Sequence, residues 1–153
     1  MLVLSAISAS AEIVDINTPS SSIVLDATEG RPLKFLYYGP KLAPADAAAL
    51  KSAGGPRLNA YPAYGMTTVS ETAVAARHAD GNMTLDLNVA SVKRDGPVTT
   101  ITLKDSYYPF TVDVNYRTWP DSEVIETWTE ISHDEPSAVT LTQFASGYLP
   151  VRF

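Results

Sequence analysis

Glu126, Trp128 and Glu130 are the residues whose types and spacing come nearest to chemistry in this chain. Two carboxyl groups flanking one glycosidic bond can cleave it, with retention of configuration when they stand about 5–5.5 Å apart. Residues two apart on a strand share a face, so all three side chains would project together from a strand over 124–132. At roughly 3.3 Å per residue, however, the backbones of Glu126 and Glu130 lie about 13 Å apart, too far for direct cooperation within one strand. The plainer reading is a polar, partly covered sheet face on which the glutamates pair with cations or meet solvent. Trp119 and Trp128 could stack on a sugar ring, but tryptophans in sheet proteins more often fill the core or cover a sheet end.

His78 and His133 are the only imidazoles. They lie far apart, with no His-x-x-x-His or carboxylate spacing of the kind that holds a metal, and a hydrogen-bonded structural histidine accounts for either. Sequence alone leaves a Ser-His-Asp triad open, yet no Gly-x-Ser-x-Gly elbow supports one, and no glycine loop for phosphate is present. No catalytic residue, metal or cofactor is therefore assigned.

The elements that would have to position these groups read as strands. Met83, Leu85, Leu87 and Val89 alternate with polar residues, as do Ile101 and Leu103, then Phe110, Val112, Val114 and Tyr116, then Val139 and Leu141. Period two with abundant threonine, valine and tyrosine marks strands with one buried face. Turn chemistry separates them at Asp80-Gly81-Asn82, Arg94-Asp95-Gly96-Pro97, Pro120-Asp121-Ser122 and Asp134-Glu135-Pro136. Residues 22–25 and 33–38 read as two further strands around a hairpin turn at Glu29-Gly30. An all-β, largely antiparallel sandwich with at most one short helix follows. The helix, or a loop in its place, falls in the alanine-rich stretch 44–53, ended by Gly54-Gly55-Pro56.

Composition bounds the class. The 153 residues carry 11 Lys plus Arg against 17 Asp plus Glu, a net charge of -6, and the basic residues are scattered, so nucleic acid is a poor partner. Without cysteine there is no disulfide framework, thiolate metal site or cysteine nucleophile. No apolar run reaches the ~20 residues that a spanning helix needs, so no membrane-embedded segment is expected. Residues 1–11 are apolar and small, ending Ala9-Ser10-Ala11, and resemble the last part of a secretory signal without its basic start. Export to periplasm or medium would follow if they are a signal remnant; an ordinary terminal segment is the competing reading.

Several strings, in order, carry a resemblance. They are Phe35-Leu36-Tyr37-Tyr38-Gly39, Tyr61-Pro62-Ala63-Tyr64-Gly65, Glu71-Thr72-Ala73, and His78-Ala79-Asp80-Gly81-Asn82. Then come Thr100-Ile101-Thr102-Leu103-Lys104-Asp105 with Tyr108-Pro109-Phe110, the run 124–131, and Leu141-Thr142-Gln143-Phe144-Ala145-Ser146. Together they resemble the start of bacterial α-galactosidases of glycoside hydrolase family 36, from about Ile23 onward.

The resemblance implies an amino-terminal β-supersandwich preceding a (β/α)8 barrel that releases terminal α-linked galactose with retention. Two barrel aspartates do that work, one within a Lys-Trp-Asp-x-Asn motif that this chain lacks; Trp119-Pro120-Asp121 has neither the lysine nor the Trp-Asp adjacency. Residues 1–22 are then a signal remnant and leading segment, and 23–153 a sandwich domain cut short at its carboxyl end. Open strand edges should make the isolated chain self-associate or unstable. The implied partners are the catalytic barrel of the same parent chain, further copies in a homo-oligomer, and an α-galactoside bound by the parent enzyme.

In oligomeric members a sandwich loop can close a neighbour's sugar site. The matching loop here is 59–71, with Tyr61, Tyr64 and Glu71 as substrate-contacting residues and Pro62 and Gly65 setting its turn. Met66-Thr67-Thr68 stands where many relatives carry an acidic and a basic residue, which favours an architectural loop. The alternative to a non-catalytic galactosidase domain is a free-standing carbohydrate-binding sandwich with a flat aromatic platform.

Overall fold

The structure is a computed structural model and describes residues 12–53, 58–66 and 71–150. The signal-like residues 1–11, the Gly54-Gly55-Pro56 stop and Thr67-Thr68 lie outside the described residues. In chain order come β1 (Ile13–Asn17), β2 (Ser21–Asp26), β3 (Lys34–Pro40), α1 (Pro44–Ala49) and β4 (Leu58–Asn59). Then follow β5 (Val74–Arg77), β6 (Leu87–Asp95), β7 (Val98–Asp105), β8 (Phe110–Thr118), β9 (Ile125–His133) and β10 (Thr140–Phe144). Among the described residues these form a sheet β1-β2-β3-β4, a sheet β6-β7-β8-β9 and a ribbon of β5 with β10, and the named strands pair antiparallel. The all-β antiparallel sandwich with one short helix is thus the observed fold.

Alternation explains how the layers close. Ile101 and Leu103 of β7 and Val112 and Val114 of β8 are buried, while Thr100, Thr102 and Asp113 turn to the opposite face. Val14, Ile16, Ile23 and Leu25 of the first sheet meet them in one core with Val74 and Ala76 of β5. Each fully buried Val, Leu, Ile or Phe contributes roughly 1.5–3 kcal/mol, and a one-residue slip would turn a whole apolar row to water, so burial fixes register.

β6 and β7 are joined by the two-residue turn Gly96-Pro97, since Asp95 pairs with Val98. Gly96 has φ +55 and proline fixes the next φ near −65°, the pattern of a type II′ turn that suits strand twist.

β2 is buried on both faces. Ile23 and Leu25 face the core, whereas Ser22 and Asp26 meet the segment that follows β3. Ser22 Oγ accepts the Leu42 N–H at 3.1 Å, and Lys51 reaches Asp26 at 3.7 Å and donates to Thr28 Oγ1 at 3.0 Å. α1 begins with Pro44, whose missing N–H costs nothing in a first turn, and it has no side-chain cap. It runs only to Ala49, so contact with β1 rather than intrinsic propensity keeps it folded.

Two local expectations shift. Met83 is 37% exposed because the ladder begins at Leu87; the preceding Leu85 is buried and donates its N–H to Tyr64 O at 2.9 Å without joining a strand. Leu141 is 40% exposed: among the described residues β10 pairs only with β5, most of its side chains face solvent, and its ladder has a bulge between Leu141 and Gln143. β1, within the amino-terminal stretch 1–22, pairs along its length with β2.

Candidate functional site

The loop 59–71 leaves the first sheet at β4 and reaches β5, and its described part is rooted by backbone bonds. Ala63 bridges to Val74, Tyr64 N–H donates to Val74 O at 3.0 Å, and Ala73 N–H donates to Pro62 O at 2.7 Å. Gly65 has φ +96, and a Cβ there would lie 2.7 Å from Thr84 Cγ2 and 2.9 Å from Thr84 Cα, so glycine is required both by conformation and by close approach.

The three candidate contact residues divide. Tyr61 is buried, and its hydroxyl donates to Ala145 O at 2.8 Å. Burial raises the Tyr61 phenol above its ordinary value. Tyr64 is 49% exposed and Glu71 is exposed, so these two face solvent while Tyr61 holds the root of the loop. Thr72 and Gln143 bond to each other at 3.1 Å and tie the end of the loop to β10.

The Glu126, Trp128 and Glu130 row lies on the outer face of β9. Arg117 of β8 bonds Glu126 at 3.1 Å and spreads over Trp128, 5.1 Å from the ring centroid, while Trp128 Nε1 donates to Glu130 at 3.1 Å. Both carboxylates are engaged with neighbours on one sheet face. Trp119 is 39% exposed at the β8–β9 turn.

His133 is exposed, and its Nδ1 accepts the Glu135 N–H at 3.3 Å. His78 is buried directly after β5. Its Nδ1 stands 2.7 Å from Glu135 Oε1 and its Nε2 3.1 Å from Thr84 O, and the ring stacks on Tyr108 at 3.6 Å with its edge toward Phe110. Burial alone would raise the Glu135 carboxyl, but hydrogen bonds from His78 and from Ala79 N–H outweigh it and hold the group below its ordinary range. The Tyr108 hydroxyl donates to Asp80 at 2.8 Å and accepts from Asn82 at 2.9 Å. The bond to Asp80 raises the Tyr108 phenol; Asp80 is lowered, first by the Asn82 N–H and then by Tyr108. Glu135 escapes a reading of the sequence because it lies 57 residues from His78; the turn string Asp134-Glu135-Pro136 was its only local mark.

A crevice of about 360 Å³ opens between the two four-stranded sheets, lined by Ile23, Phe35, Tyr38, Tyr116, Ile125 and Tyr148 among others. Glu123, on its margin, accepts from Thr18 Oγ1 and from Ser20 N–H, fastening the β8–β9 connection to the β1–β2 turn. Those bonds, Thr18 first, lower its carboxyl. Among the described residues no three His, Asp or Glu side chains converge as a metal site, and no helix is long and apolar enough to cross a membrane.

The architecture defines the class: an antiparallel β-sandwich domain of the kind found within α-galactosidase structures. A complex of a variant of the Geobacillus stearothermophilus family 36 α-galactosidase AgaA with 1-deoxygalactonojirimycin superposes with TM-score 0.77 and 16% identity, over 89% of this chain and 24% of that one. The Lactobacillus brevis α-galactosidase gives 0.73 and 13%, over 90% and 23%; the galactosidase domain of the α-galactosidase-sucrose kinase AgaSK gives 0.73 and 16%, over 92% and 25%. The chain thus spans about a quarter of the length of these chains. No curated protein matches the sequence. The profile of the glycosyl hydrolase family 36 N-terminal domain matches residues 31–152, and the chain belongs to that family.

Proposed function

We propose that this chain serves as the non-catalytic amino-terminal domain of a family 36 α-galactosidase, where it supports the fold of the catalytic barrel, packs subunits of a homo-oligomer and borders the galactose site. The parent enzyme hydrolyses terminal α-galactosides with retention, using carboxyl groups of the barrel. The observation that carries this reading is the family match over residues 31–152. Glu126 and Glu130, the nearest approach to an acid pair on β9, are bound to Arg117 and Trp128, which suits a structural face.

In this role the loop 59–71 forms the rim. Tyr64 offers an exposed ring for stacking and Glu71 a carboxylate for sugar hydroxyls, while buried Tyr61 anchors the loop to the chain after β10. Sequencing the genomic DNA that follows the codon for Phe153 tests the reading. An in-frame barrel with paired aspartates supports it; a stop followed by unrelated sequence overturns it and favours a free-standing carbohydrate-binding module.

A further inference from the structure

We propose that His78 and Glu135 form a one-proton latch that ties the β9–β10 connector to the end of β5 and so fixes the β5–β10 ribbon. The two side chains are 0% and 2% exposed, so no water competes for their bonds. Thr84 O can only accept, and Nε2 must therefore donate to it. On the 2.7 Å line from Nδ1 to Glu135 Oε1 there is room for one proton, held by the ring or by the carboxyl. With none, a lone pair faces a carboxylate in a buried seat; with two, the protons oppose each other. Either state leaves a buried polar group without its partner, which is costly.

The surroundings close the seat from each side. Tyr108, from the β7–β8 loop, covers one face of the ring and carries Asp80 on its hydroxyl, and Phe110 of β8 meets the ring edge. His133 lies under the Glu135 N–H, while Arg77 and Asp134, the flanking chain neighbours, are exposed. Glu135 Oε2 also accepts the Ala79 N–H at 2.9 Å, so one carboxylate grips both the ring and the backbone beyond β5.

The latch sits at one end of the ribbon and the candidate rim loop at the other. Five residues after Glu135, Thr140 opens β10 opposite Arg77 of β5. At the far end Phe144 pairs with Val74, the next residue's carbonyl takes the Tyr61 hydroxyl, and Gln143 bonds Thr72. Opening the latch frays β10 from its start toward the residue that anchors Tyr61. The latch itself is independent of the galactosidase reading; only its bearing on a sugar-site rim rests on that reading.

The Glu135→Gln variant of the full chain tests it. An amide nitrogen facing Nδ1 and an amide oxygen kept on Ala79 N–H make a seat that requires the neutral ring. Protection of β10 amides, measured by hydrogen exchange against unfolded-chain rates, should fall in the wild type as the ring loses its proton. In E135Q it should instead rise with pH, and on the other side of the open-chain imidazole value of about 6.5. A seat that holds the ring charged weakens only above that value and one that holds it neutral strengthens only up to it, each by up to about tenfold per pH unit, the slope of one linked proton. The same pH dependence in both proteins, or none in either, overturns the proposal. If E135Q does not fold, ring nitrogen NMR of wild-type His78 decides: a fall in β10 protection that levels off where the ring titrates supports the latch, and titration with unchanged protection refutes it.

Discussion

Replacing Gly65 by alanine isolates how tightly the loop 59–71 is held at its described root. An L-residue in the left-handed region costs roughly 1–2 kcal/mol. At Gly65, φ +96, the added Cβ would also press within 2.7 Å of Thr84 Cγ2 and 2.9 Å of Thr84 Cα, and the Cα cannot rotate away. Overpacking of this kind adds about 1–3 kcal/mol, for a combined loss of about 2–5 kcal/mol. Gly30 is the internal control: its φ is +72, but a Cβ there meets nothing within 4 Å, so Gly30→Ala carries the conformational cost alone. Gly39 is the reverse control, because its Cβ would meet only the Tyr37 hydroxyl end at 2.7 Å and it is not among the positive-φ glycines. Urea unfolding followed by far-ultraviolet circular dichroism reads all three, provided the slopes agree. Gly65→Ala should lose more stability than Gly30→Ala by about 1–3 kcal/mol, the overpacking share. Equal losses in the two variants would refute a loop pressed against Thr84.

Tyr116, buried on β8, has its phenol pushed up to about 12 by burial. A raised value favours the neutral phenol in the fold, so its contribution is whole below the unfolded tyrosine value of about 10 and is lost as pH climbs toward the folded one, at about 1.4 kcal/mol per pH unit. Urea titrations at alkaline pH should show that extra slope in the wild type and its absence in Tyr116→Phe. Glu123 is lowered by Thr18, so its contribution is present above the ordinary carboxylate range and fades as pH falls through the folded value. Glu123→Gln should therefore flatten the acid side of the stability profile, read as a smaller change in urea midpoint between about pH 6 and about pH 3, roughly 1.5 units either side of the ordinary carboxylate value. In the parent enzyme, Tyr64→Ala should raise KM for a galactoside with little change in kcat, the mark of uniform binding lost; an unchanged KM would remove Tyr64 from the rim.

What the sequence showed and what it hid have a common cause. β7 and β8 were legible because each buries one face, so Ile101, Leu103, Val112 and Val114 alternate with polar residues. β5 was not: Val74-Ala75-Ala76-Arg77 is four residues long and three of them are buried, which leaves no period. β1 alternates, yet it adjoins the small apolar run 1–11 and its partner is revealed only by pairing with β2. Met83 continued an apolar pattern into a stretch where hydrogen bonding is to Tyr64 and not to a strand neighbour. For the candidate site, the Tyr61 to Gly65 string marked a loop, but the division between buried Tyr61 and exposed Tyr64 depends on Ala145, 84 residues away. The His78 seat is assembled from three distant segments and carries no local spacing.

The proposed role is that of a domain that serves a catalytic barrel without performing the chemistry. Release of nitrophenol from 4-nitrophenyl α-galactoside tests it most directly, with the pure chain alone, the remaining parent polypeptide alone, and the two together. No turnover is expected from the chain, and a gain in the barrel's activity is expected when the chain is added. Turnover by the chain itself, abolished by a single carboxylate substitution, would contradict it.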